Sequence, residues 1–197
     1  MVEVSDFKRI PEFIIFTGPM FGSKTTRLMA IVDRFRYQNR NIIAFKPSLD
    51  ERYSKSEICT HNGGTLPAIV VKSGNDILKH VMDSEEFVDV VAVDEAFMIE
   101  GCASALLDIF RKGKTILVSS LQLSATGNVF DEVRDMMPWA TKIEICPAVC
   151  PVTGLDAYYT HRKFDNMSEI TVGGSDLYEP RCWFYHPYMN QSSVSGE

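Results

Sequence analysis

The sequence predicts an α/β fold: a parallel sheet covered by helices, with a small β appendage toward the C-terminus. Three observations predict it. Strand-length apolar runs alternate with segments of helical period along residues 12–145. Those runs are apolar throughout rather than alternating, as in a sheet buried on both faces. Past Cys146 the alternation stops, and two aromatic segments flank a polar loop carrying Gly173-Gly174. The implied division is 1–145 for the α/β domain and 146–197 for the small subdomain and its tail.

Residues 12–17 read as a buried strand. Residues 24–38 follow as a helix, because Leu28, Ile31, Val32 and Phe35 recur on one face. Residues 41–45 form a second buried strand, ending at Lys46-Pro47. Residues 48–66 are polar, contain Asn62-Gly63-Gly64, and read as a long loop. Residues 68–71 are a short strand. Residues 75–82 are helical, with Ser73 or Asn75 able to cap them. Residues 88–93 are an apolar run ending in Asp94-Glu95. Residues 102–111 are helical and Gly113 stops them. Residues 115–119 are another buried strand, 130–136 a short helix ended by Pro138, and 141–145 the last core strand. In the appendage, residues 157–161 and 182–186 are the β candidates. The Ser-rich end from Asn190 to Glu197 is expected to be disordered.

Composition narrows the function classes. The chain has 197 residues, 45% of them hydrophobic, which suits one domain with a small appendage. No apolar run approaches the roughly 20 residues of a membrane helix, and residues 1–10 lack the apolar centre of a signal peptide. A cytoplasmic protein is the expectation. The net charge of −6 argues against broad nucleic-acid binding. Five cysteines without a secretion signal argue against a disulfide framework; Cys59 and Cys102 read as ordinary thiols.

The chemistry begins where the first strand ends. In Thr17-Gly18-Pro19-Met20-Phe21-Gly22-Ser23-Lys24-Thr25-Thr26 an apolar run meets a glycine, a short loop follows, and Lys-Thr opens a helix. That is the layout of a phosphate-binding loop, whose backbone N–H groups and helix N-terminus cradle phosphates. The lysine reaches the β- and γ-phosphates and the next hydroxyl binds Mg²⁺. The alternative is a glycine-rich turn with no ligand. The usual loop has a glycine directly before the lysine; here Ser23 stands there and the glycine is Gly22. A left-handed Ser23 would cost about 1–2 kcal/mol, a right-handed one almost nothing.

Ligands of parallel sheets bind at the carboxyl ends of the strands. The glycine loop, Lys46-Pro47, Asp94-Glu95 and Ser119-Ser120 all fall there. Asp94 is placed to hold Mg²⁺, and Glu95 beside it to accept a proton from an attacking hydroxyl; the alternative is an acidic strand end in solvent. Along Lys46-Pro47-Ser48-Leu49-Asp50-Glu51-Arg52-Tyr53, Arg52 can neutralise phosphate charge and Asp50 can help position Mg²⁺; the alternative is a solvated charged loop.

These segments together resemble the type II thymidine kinases. The glycine loop is similar to that family's G-P-M-F-S-G-K-[ST]-T. Lys46-Pro47-Ser48-Leu49-Asp50-Glu51-Arg52-Tyr53-Ser54 is similar to its K-P-x-x-D-x-R-Y-S, and Thr60-His61 to the T-H that follows. Asp94-Glu95 matches its D-E strand end, Thr160-His161-Arg162 its T-x-R, and Val172-Gly173-Gly174-Ser175-Asp176-Leu177-Tyr178-Glu179 its glycine-bearing lasso. Order and spacing agree from about residue 13 to 186.

The resemblance implies a P-loop (RecA-like) parallel sheet with a C-terminal β lasso, and transfer of the γ-phosphoryl group of ATP to the 5′-hydroxyl of thymidine. It implies Glu95 as the base and Lys24 as the phosphate-binding cation. Gly18, Pro19, Met20, Phe21, Gly22, Ser23, Thr25, Thr26, Asp50 and Arg52 would surround ATP, with Thr25 and Asp94 on Mg²⁺. Met20, Phe97, Met98, Leu121, Phe130, Val172, Gly173 and Tyr178 would line the base pocket. A homotetramer and feedback inhibition by dTTP are also implied, with no nucleic-acid or membrane partner.

The chain departs from the pattern at three places. One is the Gly22-Ser23 order. Another is the base pocket: Phe97 and Met98 replace Gln and Phe, and Ala125 stands where an aromatic is usual, so deoxyuridine joins thymidine as an expected substrate. The last is the zinc site. Of the family's two ligand pairs, Cys150 and Cys182 remain while Thr153 and Tyr185 fill the other positions. Cys146 and His186 restore a Cys₃His set on looser spacing, Cys146, Cys150, Cys182 and His186. The alternative is that the metal is gone and Trp183, Phe184 and Tyr158 pack in its stead. A rival reading of the whole chain is a nucleotide-binding relative without kinase activity. The joint presence of Lys24, Thr25, Asp94 and Glu95 argues against it.

Overall fold

The apolar runs assemble into one sheet. The computed structural model of the protein describes residues 10–50, 56–60, 63–164 and 171–190. In chain order its strands begin with β1 (Phe13–Thr17), β2 (Ile42–Pro47), β3 (Glu57–Cys59), β4 (Thr65–Pro67), β5 (Ile69–Val71), β6 (Val90–Val93), β7 (Thr115–Ser120) and β8 (Lys142–Ile145). The helices are α1 (Lys24–Tyr37), α2 (Gly74–Met82), α3 (Cys102–Arg111) and α4 (Asp131–Met136). Among the described residues the main sheet runs β5-β2-β6-β7-β1-β8, and every neighbouring pair is parallel.

Successive residues of a strand point to opposite faces, and β1 shows both faces buried. Phe13 and Ile15 pack with Ile77 and Val81 of α2 and Leu106 and Ile109 of α3. Ile14 and Phe16 pack with Leu28, Val32 and Phe35 of α1. Each such side chain contributes roughly 1.5–3 kcal/mol when fully buried. The uniform apolar runs therefore follow from helices on both sides. β2 outruns its predicted end by two residues. Beyond Phe45 it pairs with β5 and no longer with β6, so Pro47, which lacks an N–H, sits where one side is free. α2 starts with a reciprocal cap between Ser73 and Asp76.

Three expectations need correction. The stretch 48–66 is not all loop: β3 and β4 form an antiparallel hairpin with Ile58 opposite Leu66. Both side chains are buried against the α1 face, which is what folds the hairpin down. β8 belongs to the sheet but is no core strand, since it lies at the edge with Ile143 and Ile145 exposed. In the appendage, β9 (Ala148–Val149) pairs with β10 (Asp156–Ala157), and β11 (Tyr159–Arg162) with β12 (Tyr178–Arg181), both antiparallel. Residues 182–186 are not a strand: β12 lies just before them, and Trp183–Tyr185 is a 3-10 turn. Residues 191–197, of the predicted tail, lie outside the described residues.

Candidate active site

The ends of β1, β2 and β6 meet in one cleft, and the loop after β1 forms its floor; Ser119 and Ser120 at the end of β7 do not line it. Gly18 and Gly22 both lie against the backbone carbonyl of Cys146, where a side chain at either position would collide. Cys146 is fixed there because its N–H donates to the Thr17 carbonyl at 2.7 Å. The loop then turns through two left-handed residues that are not glycine, Phe21 (φ 65°) and Ser23 (φ 58°). Ser23 thus takes the costly conformation, about 1–2 kcal/mol above a right-handed one. Gly22 is used instead for the close approach to Cys146. Lys24 is buried, and its Nζ donates to the Pro19 carbonyl at 2.6 Å.

The acidic pair ends β6. Asp94 accepts a hydrogen bond from the Thr25 hydroxyl, 3.1 Å to Oδ1. Burial raises its carboxyl to about 7, the neighbouring charges of Glu95 and Asp50 push the same way, and the Ser119 and Thr25 hydroxyls partly oppose them. Glu95 is left-handed (φ 50°) between β6 and a 3-10 turn at Ala96–Met98. Strained backbone of this kind clusters at functional positions. Carboxylates crowded beside a hydroxyl suit a divalent cation, which removes the repulsion; Mg²⁺ typically takes one or two carboxylates plus substrate phosphates.

Two cavities open from this centre. The first is lined by Met20, Phe21, Gly22, Ser23, Lys24, Thr25, Thr26, Asp50, Asp94 and Glu95. Lys46, Ile58, Cys59, Thr60 and Gly174 complete it, none of them assigned to ligand binding from the sequence. Lys46 carried a signal, standing at the C-terminal end of β2, and Thr60 lay in the matched T-H; Ile58 and Cys59 had none while the hairpin went unrecognised. Arg52 lies outside the described residues. The second cavity is lined by Met20, Phe97, Met98, Leu121, Phe130, Val172, Gly173 and Tyr178. Ser124, Ala125, Thr160, Thr171 and again Glu95 share it. Its lining is mostly apolar, and the rings of Phe97 and Phe130 pack at 4.5 Å. Its far wall is tied down: the Tyr178 hydroxyl donates to the Thr171 carbonyl at 2.9 Å, and the Met20 N–H donates to the Thr160 hydroxyl at 2.9 Å.

The four-ligand zinc set does not assemble. Among the described residues no three His, Cys, Asp or Glu side chains gather as a metal site. Cys146 packs on the α1 face with Ile14 and Leu28, whereas Cys150 and Cys182 cluster with Ala148, Ala157 and Phe21. His186 turns elsewhere, its Nε2 2.9 Å from the Thr160 carbonyl. The Thr153 hydroxyl donates to Cys182 Sγ at 3.6 Å. The aromatic substitute fails too, because Trp183, Phe184 and Tyr158 are all exposed.

Comparison with known proteins agrees with this layout. A family model described as thymidine kinase matches residues 12–186. A thymidine kinase of Thermococcus kodakarensis is 34% identical over 182 residues, covering 87% of this chain and 92% of that protein. One from Pyrobaculum aerophilum is 32% identical over 175 residues, 86% of this chain and 95% of that one. One from Onion yellows phytoplasma is 31% identical over 180 residues, 87% and 85% respectively. Among the described residues no helix is long and apolar enough to cross a membrane.

Proposed function

The chain belongs to the thymidine kinase family, and from that premise we propose that it transfers the γ-phosphoryl group of ATP to the 5′-hydroxyl of thymidine, giving dTMP and ADP. The observation that carries this reading is the junction of the two cavities. Met20 and Glu95 line both, so a phosphate cleft and an apolar pocket share one carboxylate.

Each residue then has a task. The backbone N–H groups of the loop and the N-terminus of α1 hold the phosphates. Lys24 exchanges its bond to the Pro19 carbonyl for a charge-assisted one to phosphate oxygen. Thr25 and Asp94 would hold Mg²⁺, which supplies charge neutralisation at the β- and γ-phosphates. Glu95 accepts the proton of the 5′-hydroxyl as its oxygen attacks phosphorus in line with the departing ADP oxygen. The base lies among Met20, Leu121, the Phe97–Phe130 pair and Tyr178, its polar edge paired by the backbone at Val172 and Gly173. With Ala125 on the wall, a ring lacking the methyl group fits as well, and deoxyuridine is the second substrate.

Incubation with labelled ATP, Mg²⁺ and each deoxynucleoside in turn tests the reading. dTMP from thymidine supports it. Nucleotide binding without any monophosphate would leave a binding module and no kinase.

A further inference from the structure

His186 carries no metal, yet it is 1% exposed and lies far along the chain from the catalytic loop. Its place becomes clear from two hydrogen bonds in series. Its Nε2 lies 2.9 Å from the carbonyl oxygen of Thr160. The hydroxyl of the same Thr160 accepts the backbone N–H of Met20 at 2.9 Å. Thr160 is thus held on its backbone by His186 while its side chain holds the loop residue shared by both cavities.

We propose that His186 is a positioning residue for the nucleoside pocket, acting through Thr160 on Met20. A carbonyl only accepts, so Nε2 carries the proton. The other ring nitrogen, Nδ1, is buried and finds no hydrogen-bond partner among the described residues. The bond to Thr160 therefore fixes the ring, with the Tyr159 and His161 rings packed at 5.6 and 6.1 Å. Burial holds the imidazole below its ordinary pKa of 6.5, against the Thr160 carbonyl and together with Arg181, so it is neutral at pH 7. Its own backbone is pinned as well, because the N–H groups of Met189 and Asn190 both donate to the His186 carbonyl, at 3.0 and 2.9 Å. Two residues on, the Tyr188 ring lies against Gly127, in the loop that supplies Ser124 and Ala125 to the same pocket. The segment after β12 thus braces the nucleoside pocket from two sides.

This role rests on the functional reading above, and thymidine affinity measured by calorimetry separates the two because it needs no turnover. The test compares His186→Gln, whose amide N–H reaches about as far as Nε2, with His186→Asn, whose amide stops near Nδ1. Expected is a loss of thymidine affinity of about tenfold in the Asn variant and within about threefold of wild type in the Gln variant. ATP affinity should fall less than thymidine affinity, because Thr160 lines only the nucleoside pocket. Equal thymidine affinities in both variants, whether high or low, would overturn the role. So would a wild-type imidazole that ¹⁵N NMR finds protonated on Nδ1, a measurement that requires no variant to fold. Wild-type protein that neither binds nor phosphorylates a nucleoside would bring down the functional reading and this role together. Wild-type protein that binds thymidine no better than His186→Asn would bring down this role alone.

Discussion

The carbonyl oxygen of Cys146 occupies the space that a side chain on Gly22 would need. This contact accounts for the unusual order Gly22-Ser23. The glycine is spent on close approach, and the left-handed turn next to it falls to a serine at φ 58°. Gly22→Ala should therefore destabilise the protein by about 1–3 kcal/mol, as overpacking against backbone does. Ser23→Gly should be neutral to stabilising by up to about 1 kcal/mol, since relief of the left-handed strain is partly offset by glycine's chain entropy. Urea midpoints of the two variants check the assignment; a tolerant Gly22 with a sensitive Ser23 would reverse it.

The β3–β4 hairpin forms one wall of the phosphate cleft through Ile58 and Thr60. It is anchored by the pair Ile58 and Leu66, which are 1% and 2% exposed. Leu66→Ala should cost about 2–5 kcal/mol, the usual range for a buried leucine. Because the hairpin walls the cleft, ATP affinity should fall more than thymidine affinity. Denaturation together with the two affinities measured on the folded variant checks both parts.

The same hairpin shows where sequence reading stops. β1 and β7 were legible because a strand buried on both faces leaves an uninterrupted apolar run. β3 and β4 have three residues each with one core side chain apiece, Ile58 and Leu66, too few to show any period. Lys24, Thr25, Asp94 and Glu95 could be placed because strand ends of a parallel sheet converge whatever the details of packing. The cysteines could not be placed by spacing. Cys146 stands four residues from Cys150, but its N–H is bound to Thr17 and its carbonyl faces the glycine loop. That leaves Cys150 beyond the short strand β9, clustered with Ala148, Ala157 and Cys182.

Ala125 lines the apolar cavity and not the phosphate cleft. Ala125→Phe should therefore act on one substrate alone. The expected outcome is a fall of about threefold to tenfold in the KM for thymidine, since a ring there restores the aromatic wall whose place Ala125 takes. The KM for ATP should stay within about twofold. Steady-state kinetics with each substrate varied in turn reads this directly, and parallel changes in both constants would mean that the two cavities are not separate.

At the start of α2, the Asp76 carboxylate accepts the backbone N–H groups of Lys72 and Ser73, at 2.9 and 3.0 Å. Those bonds, Lys72 first, hold its pKa below the ordinary 3.8. A depressed carboxylate stabilises the fold above its unfolded pKa, and that contribution is lost as the pH falls through the lower folded value. The stability gap between wild type and Asp76→Asn should thus be fully present at about pH 5 and close below about pH 4. Thermal melts across that range measure it; a gap that widens in acid would contradict the cap.

Glu95 stands at the junction of the two cavities, and its left-handed backbone places it directly after the Asp94 that bonds to Thr25. If its work is to take the proton of the nucleoside hydroxyl, Glu95→Gln keeps the shape and removes only the base. kcat should drop by about 10²–10⁴, the usual worth of a general base, while ATP and thymidine affinities stay within about threefold. Lys24→Ala should differ in kind. It removes a buried ammonium bonded to the loop's own Pro19 carbonyl, so ATP affinity and turnover should fall together. Calorimetry beside single-turnover assays separates the two patterns. Full turnover in Glu95→Gln would move the base elsewhere, and an active Lys24→Ala would mean that the phosphates do not lie over this loop.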